Sequence, residues 1–307
     1  MIAGAVLRWQ LFLKRKGTNM EFLTTLLNGL SLGGIYAMIA LGYTMVYGIA
    51  KMLNFAHGDI IMVGGYTILL FLSVNPIVAI VASVIFCMLL GIVVEKLAYK
   101  PLRGASPLAV LITAIGVSYL LQSIAQMIFG SAPKFVVIAN LGILRIGDIA
   151  IGYSTIITLI CSVVVMAALS VFVKYSKTGR AMVAVSEDKG AAQLMGINVN
   201  RIIMITFAIG SALAALASVA FLLKTPNMSP TFGSLPGIKA FTAAVIGGIG
   251  SIPGAMLGGI LLGIIECFAQ SVPQISPYTD AIEFSILIIL LLVKPSGLLG
   301  KKRREKV

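Results

Sequence analysis

The chain has 307 residues, of which 59% are hydrophobic and only 11% charged, and a net charge of +13. Soluble domains carry about 25% charged residues, so a soluble globule is excluded; it would have no polar surface left for water. A β-barrel would alternate over ~10-residue segments, and no such alternation is present. Apolar blocks of ~18 residues or more recur along the whole length. The chain therefore reads as an all-α, polytopic integral membrane protein. Its excess of Lys and Arg is not a nucleic-acid footprint, because most of these residues flank apolar spans in short loops, where the positive-inside rule places them.

Residues 1–19 carry Arg8, Lys14, Arg15 and Lys16. The apolar run before Arg8 is too short for a signal-peptide core. This stretch reads as an N-terminal extension outside the fold, with Met20 as the start of a transmembrane domain over 20–300 and a basic tail over 301–307. The first span is predicted over 22–50, with Gly29 and Gly33 spaced for close helix contact. The polar interruption 51–59 follows, and in it Asp59 is expected to cap a short helix over 60–74. Further spans are predicted over 76–98, 107–129, 151–173 and 202–223, with 130–149 and 225–236 as loops.

Gly247, Gly248, Gly250 and Pro253 break the apolar stretch that begins at Ile238. Such breaks are tolerated only where the freed backbone is buried in protein or lines a cavity. A helix over 253–270 and a last apolar block over 281–293 complete about eight transmembrane segments, with broken or re-entrant pieces near 51–60 and 238–253. Placing the loops 51–58, 96–106 and 174–201 and the tail 294–307 in the cytoplasm puts fifteen Lys and Arg inside and three in the outer loops. The four bases of 8–16 then fall outside, against the rule.

The longest polar run, Lys174–Arg201, contains a short helix predicted over 187–195. Ser186 is expected as its N-cap, Glu187 and Asp188 in its first turn, and Gly196 as its left-handed C′ residue. So short a helix is marginal alone, so it is expected to dock on a partner. Small residues (Gly190, Ala191, Ala192) would let it seat deeply.

Chemistry of a covalent kind is not indicated. There is no GxxxxGK[ST], no GxSxG and no HExxH. The three cysteines (Cys87, Cys161, Cys267) lie one per span with no CxxC, so neither a metal site nor a disulfide framework is expected. No catalytic or metal-binding residues are assigned. Ionisable groups within membrane segments are functional candidates, and so are the polar interruption at 51–59 and the broken segment after Ile238, which could line a pathway: Asn54, His57, Asp59, Phe241, Thr242, Gly247, Gly248 and Glu266 are the candidates for a pathway or gate.

Several stretches are familiar. RAMVAVSEDKGAAQLMGIN (180–198) resembles the cytoplasmic coupling loop of ABC importer permeases, although Gly190 stands where that motif's glutamate would be. GGIYAMIALGYTMVYGIAKMLNFAHGD (33–59), AFTAAVIGGIGSIPGAMLGGILLGIIE (240–266) and LLVKPSGLLG (291–300) are similar to the branched-chain amino acid ABC permease family, in particular its LivH-type subunits. The resemblance covers about residues 20–300. It implies a permease of a bacterial inner membrane that works with two cytoplasmic ATPase subunits, a second homologous permease and an extracytoplasmic solute-binding protein. ATP would bind on the partner subunits, and this chain would hold no cofactor. Arg180, Ser186, Glu187, Asp188, Ala191, Ala192, Gly196 and Asn198 would form the ATPase-coupling surface. Two other readings stay open: the same machine for urea, short amides or other amino acids, and a stand-alone channel or secondary transporter, which would leave the loop helix without a partner.

Overall fold

The computed structural model describes residues 2–146 and 149–300, with 2–19, 146 and 149 as backbone alone. In chain order it has α1 (Ile2–Ala50), α2 (His57–Phe71) and α3 (Pro76–Val94), the last continued by a π turn over Glu95–Tyr99. Then come α4 (Pro107–Phe129), β1 (Lys134–Phe135), β2 (Ile143–Ile146), β3 (Ile149–Gly152) and α5 (Tyr153–Tyr175). Two short helices follow, α6 (Lys177–Glu187) and α7 (Lys189–Leu194). The chain continues with α8 (Val199–Lys224), β4 (Asn227–Met228), α9 (Ser234–Gly247), α10 (Ile252–Ser271) and α11 (Thr279–Val293). Among the described residues seven helices are long and apolar enough to cross a membrane, while α2 and α9 are shorter. The fold is an all-α, polytopic bundle.

The middle of α1 is the centre of the bundle. It packs against α10, α8, α5 and α9, and Ile35 and Ala37–Leu41 are fully buried. Glycine makes the α1–α10 contact possible. A Cβ on Gly263 would overlap the backbone of Gly33, and one on Gly33 would come within 2.7 Å of Ile260 Cα. The predicted small-residue spacing is thus a helix–helix seam in which backbones touch. The outer faces of α3, α4, α5 and α11 carry exposed Ile77, Leu120, Val164 and Leu292. Such faces suit hydrocarbon rather than water.

The break between α9 and α10 lies where the glycines place it. Gly248 and Gly250 have φ of 108° and 95°, a region costly for any side chain with a Cβ. The carbonyls released at the end of α9 are not orphaned: Leu298 N–H donates to Ile246 O and Leu299 N–H to Gly247 O, each at 2.9 Å.

Six expectations are corrected. The helix over 187–195 is two helices, because Asp188 adopts an extended backbone and caps α7 itself, its Oδ1 accepting from Gly190 N and Ala191 N. Ser186 is therefore not an N-cap; it lies in α6 and donates to Val183 O. Glu187 is the last residue of α6, not in a first turn. Asp59 is inside α2 rather than at its cap, since the turn at Asn54–Ala56 starts that helix earlier than the apolar pattern does. Residues 143–146 and 149–152 are not loop and the start of a span but paired strands, β2 antiparallel to β3. Likewise α9 begins at Ser234, within the stretch read as loop, because Pro236 sits in its first turn, where a missing N–H costs nothing. Gly196 is as expected: at φ 81° it closes a Schellman motif, with Ile197 N donating to Ala192 O and Gly196 N to Gln193 O.

Candidate functional site

Two regions stand at opposite ends of the bundle. At one end, the segments assigned to the cytoplasm by charge meet. Tyr99 OH donates to Asn54 Oδ1 at 2.8 Å. Arg103 bonds both Glu95 and Asn200. Lys189 Nζ donates to Ala50 O, the last residue of α1, at 2.9 Å. A cation there opposes the negative end of the α1 dipole. Burial, and then the nearby Arg103 charge, push the Lys189 ammonium below the ordinary lysine range.

The α6–α7 pair protrudes from this end. Ser176 caps α6 and Asn198 caps α8, so all three helices start at fixed points. Met182, Val185 and Ala192 anchor the pair by burial, whereas Leu194 is 91% and Met195 83% exposed. Two large apolar side chains at a tip, with Arg180, Glu187, Ala191 and Gly196 also on the surface, form a surface suited to another protein. Of the expected coupling residues, Ala192 alone is turned into its own chain.

At the other end lies a charge cluster that no short motif announces. Lys239 of α9 is 4% exposed. Its Nζ is 2.8 Å from Glu266 Oε1, 2.8 Å from Asp280 Oδ1 and 3.3 Å from Glu283 Oε2. Glu266 also accepts from Tyr36 OH at 2.6 Å and from Gln270 Nε2 at 3.1 Å. Glu283 is fully buried, and neither of its oxygens accepts a hydrogen bond. Three carboxyl groups thus surround one ammonium, tying α1, α9, α10 and α11 together. Glu266 is recognisable as a lone ionisable group in an apolar block, and Lys239, the lone charge of α9, carries the same signal. Beside the cluster is a cavity of ≈ 600 Å³, lined by Asn28, Tyr36, Lys224, Glu266 and Gln270 among others.

The remaining pathway candidates form a second constellation. His57 is buried, edge-on to the Tyr43 ring with centroids 4.7 Å apart, and its Nε2 has no partner. Phe241 packs on Tyr43 and Phe55. Asp59 is buried and accepts from Gln122 Nε2 at 2.8 Å, and Gln122 also donates to Ser234 Oγ. Thr242 Oγ1 is buried without a partner. The first turns of α2 and α9 meet here, at Gly58, Gly233 and Gly237. Asn54 is not in this group; it belongs to the cytoplasmic-loop end. Gly247 and Gly248 lie at the α9 break, packed against Gly254 and Gly300.

A bundle of apolar helices, two of them short and meeting inside it, with a polar cavity at one end and a protruding apolar tip at the other, has the plan of a multi-pass membrane permease. The chain belongs to the family described as branched-chain amino acid transport system / permease component, whose model matches residues 25–292. It is 43% identical to the high-affinity branched-chain amino acid transport system permease protein BraD of Pseudomonas aeruginosa, covering 94% of this chain and 98% of that one. It is 40% identical to the corresponding LivH of Escherichia coli K12, over 94% and 98%. A probable LivH of Methanocaldococcus jannaschii is 28% identical, over 87% and 89%. These relatives are transport permease subunits, not enzymes.

Proposed function

We propose that this chain is the membrane-spanning subunit of an ATP-driven importer of branched-chain amino acids in a bacterial inner membrane. It works with two cytoplasmic ATPase subunits, a second homologous permease and an extracytoplasmic solute-binding protein. ATP binds to the partners, and this chain carries no cofactor. The observation that supports the reading best is the α6–α7 tip: a folded, capped pair whose most prominent side chains, Leu194 and Met195, are bare. A channel or ion-driven carrier has no use for it.

The power stroke enters at that tip. When the ATPases close, α6 and α7 move as a unit, and the Lys189–Ala50 bond passes the displacement to the end of α1. Because α1 is the centre of the bundle, and Tyr36 on it holds Glu266, its shift reaches the charge cluster and the polar cavity. The bundle thereby opens alternately to one side and the other, with the α9–α10 break as the flexible joint. Arg180, Asp188, Gly196 and Asn198 shape the ATPase-facing surface, while His57, Asp59, Phe241 and Thr242 line the path between the two sides.

Purification of the tagged chain from its own membrane in mild detergent tests this. A P-loop ATPase and a second, similar permease should co-purify, and the complex should import leucine, isoleucine or valine when the binding protein is added. Recovery of the chain alone, with ion-driven flux after reconstitution, would refute it.

A further inference from the structure

We propose that the cavity beside the charge cluster is a binding site, within the permease itself, for a free amino acid in its zwitterionic form. This rests on the import reading above and extends it, because the permease then recognises its cargo's two charges rather than only passing what the binding protein delivers.

The volume of ≈ 600 Å³ is in the range of small-molecule sites, ~300–1,000 Å³. On one wall is Lys224, in the last turn of α8. It is half-buried, donates to the carbonyl of Asn28 at 3.3 Å, and is attracted by the nearby Glu266 carboxylate. An ammonium has three donors and a full charge. The Asn28 carbonyl takes one of those donors, so the ammonium can still donate to a carboxylate through a charge-assisted bond.

The same cavity is lined by Glu266, a member of the cluster with Lys239, Asp280 and Glu283. Glu266 accepts from Lys239, Tyr36 and Gln270, and a carboxylate has about four acceptor positions, so one remains for a substrate ammonium. Gln270 Nε2 donates to Glu266, which leaves its carbonyl oxygen as an acceptor. The lining also includes the apolar Leu32 and Phe221.

A simple anion would be drawn by Lys224 but repelled by the cluster. A simple cation would meet the reverse. A zwitterion with both charges on one carbon and an apolar side chain satisfies all three surfaces together. Branched-chain amino acids have that form.

The test is equilibrium binding of tritiated L-leucine to the complete membrane complex in nanodiscs, without binding protein. Leucinol, which lacks the carboxylate, and 4-methylpentanoate, which lacks the ammonium, serve as competitors. Each should compete at least about tenfold more weakly than leucine, since a lost charge-assisted bond is worth ~1.5–3 kcal/mol. Lys224→Met should weaken leucine binding by a similar factor while leaving leucinol competition unchanged, and Lys224→Arg should restore leucine binding. Thr25→Trp, which puts a large ring on the cavity lining, should abolish binding, and it carries the test if Lys224→Met is not recovered from membranes. Leucine binding unaffected by Thr25→Trp or Lys224→Met would overturn the site. So would the absence of leucine binding in a complex that still imports leucine from its binding protein. A complex that imports no branched-chain amino acid would instead refute the import reading.

Discussion

Tyr36 donates its hydroxyl to Glu266 Oε2 at 2.6 Å, joining α1 to α10 across 230 positions of sequence. Glu266 is almost wholly buried, so each acceptor position on it that loses its donor is expensive. Tyr36→Phe keeps the ring and removes one donor. It should cost about 1–3 kcal/mol, seen as a lower unfolding temperature of the detergent-solubilised chain, together with slower transport. Unchanged stability and transport would show that the bond is incidental.

Lys239 is the sole cation of its cluster. Lys239→Met leaves three carboxyl groups facing one another, and breaking a buried pair this way costs ~3–5 kcal/mol. The variant should be scarce in membranes. Adding Glu266→Gln removes one of the repelling charges, so the double variant should be recovered better than Lys239→Met alone. If the double variant is worse, the lysine's role is not electrostatic.

The seam between α1 and α10 predicts a contrast between two glycines. Gly263→Ala must push α1 away, at about 1–3 kcal/mol for overpacking. Gly116 in α4 has nothing within 4 Å of its missing Cβ, so Gly116→Ala should stabilise by roughly 0.5–1 kcal/mol through helix propensity. Thermal unfolding of the two variants side by side checks this; equal effects would mean that the seam is not tight.

At the α6–α7 tip, Leu194→Asp and Met195→Asp should leave folding unchanged, because neither side chain is buried. Co-purification of the ATPase should fall sharply. Gly196→Ala, by contrast, strains a left-handed residue by ~1–2 kcal/mol and should weaken coupling by loosening α7. ATPase recovery equal to wild type in both aspartate variants would place the docking surface elsewhere.

Lys189 gives a pH dependence. Its folded pKa lies below the unfolded value of 10.5, chiefly through burial. The unfolded chain therefore binds more protons there, and stability rises with pH through the alkaline window ending near 10.5. Lys189→Met removes this group and should flatten that rise, as measured by denaturation between neutral and alkaline pH. A steeper slope in the variant would reverse the assignment.

Much of this fold was legible in the sequence. Span length, the breaks at Gly247–Pro253, the short helix after the 51–59 interruption and the Gly196 stop each follow from a local rule. The α6–α7 junction was not legible as such, since Ser186, Glu187 and Asp188 are all plausible caps and only tertiary anchoring by Met182 and Val185 selects Asp188. The strand pair of 143–146 and 149–152 escaped because its Ile-rich strands continue smoothly into the apolar pattern of α5. The charge cluster was half visible. Lys239 and Glu266 each stand alone in apolar blocks, but no spacing rule joins residues 27 apart across a helix break. Asp280 and Glu283 sit one turn apart on α11 and seemed to belong to a loop and a span end.

The bonds from Leu298 and Leu299 to the end of α9 set an order of events during synthesis. While α9 and α10 emerge from the ribosome, the carbonyls of Ile246 and Gly247 have no permanent donors. They must borrow donors from water or the insertion machinery until 298 and 299 arrive. The joint between α9 and α10 is thus sealed by residues made only after both helices, so a chain halted before them would enter the membrane with its joint open and be conspicuous to quality-control proteases.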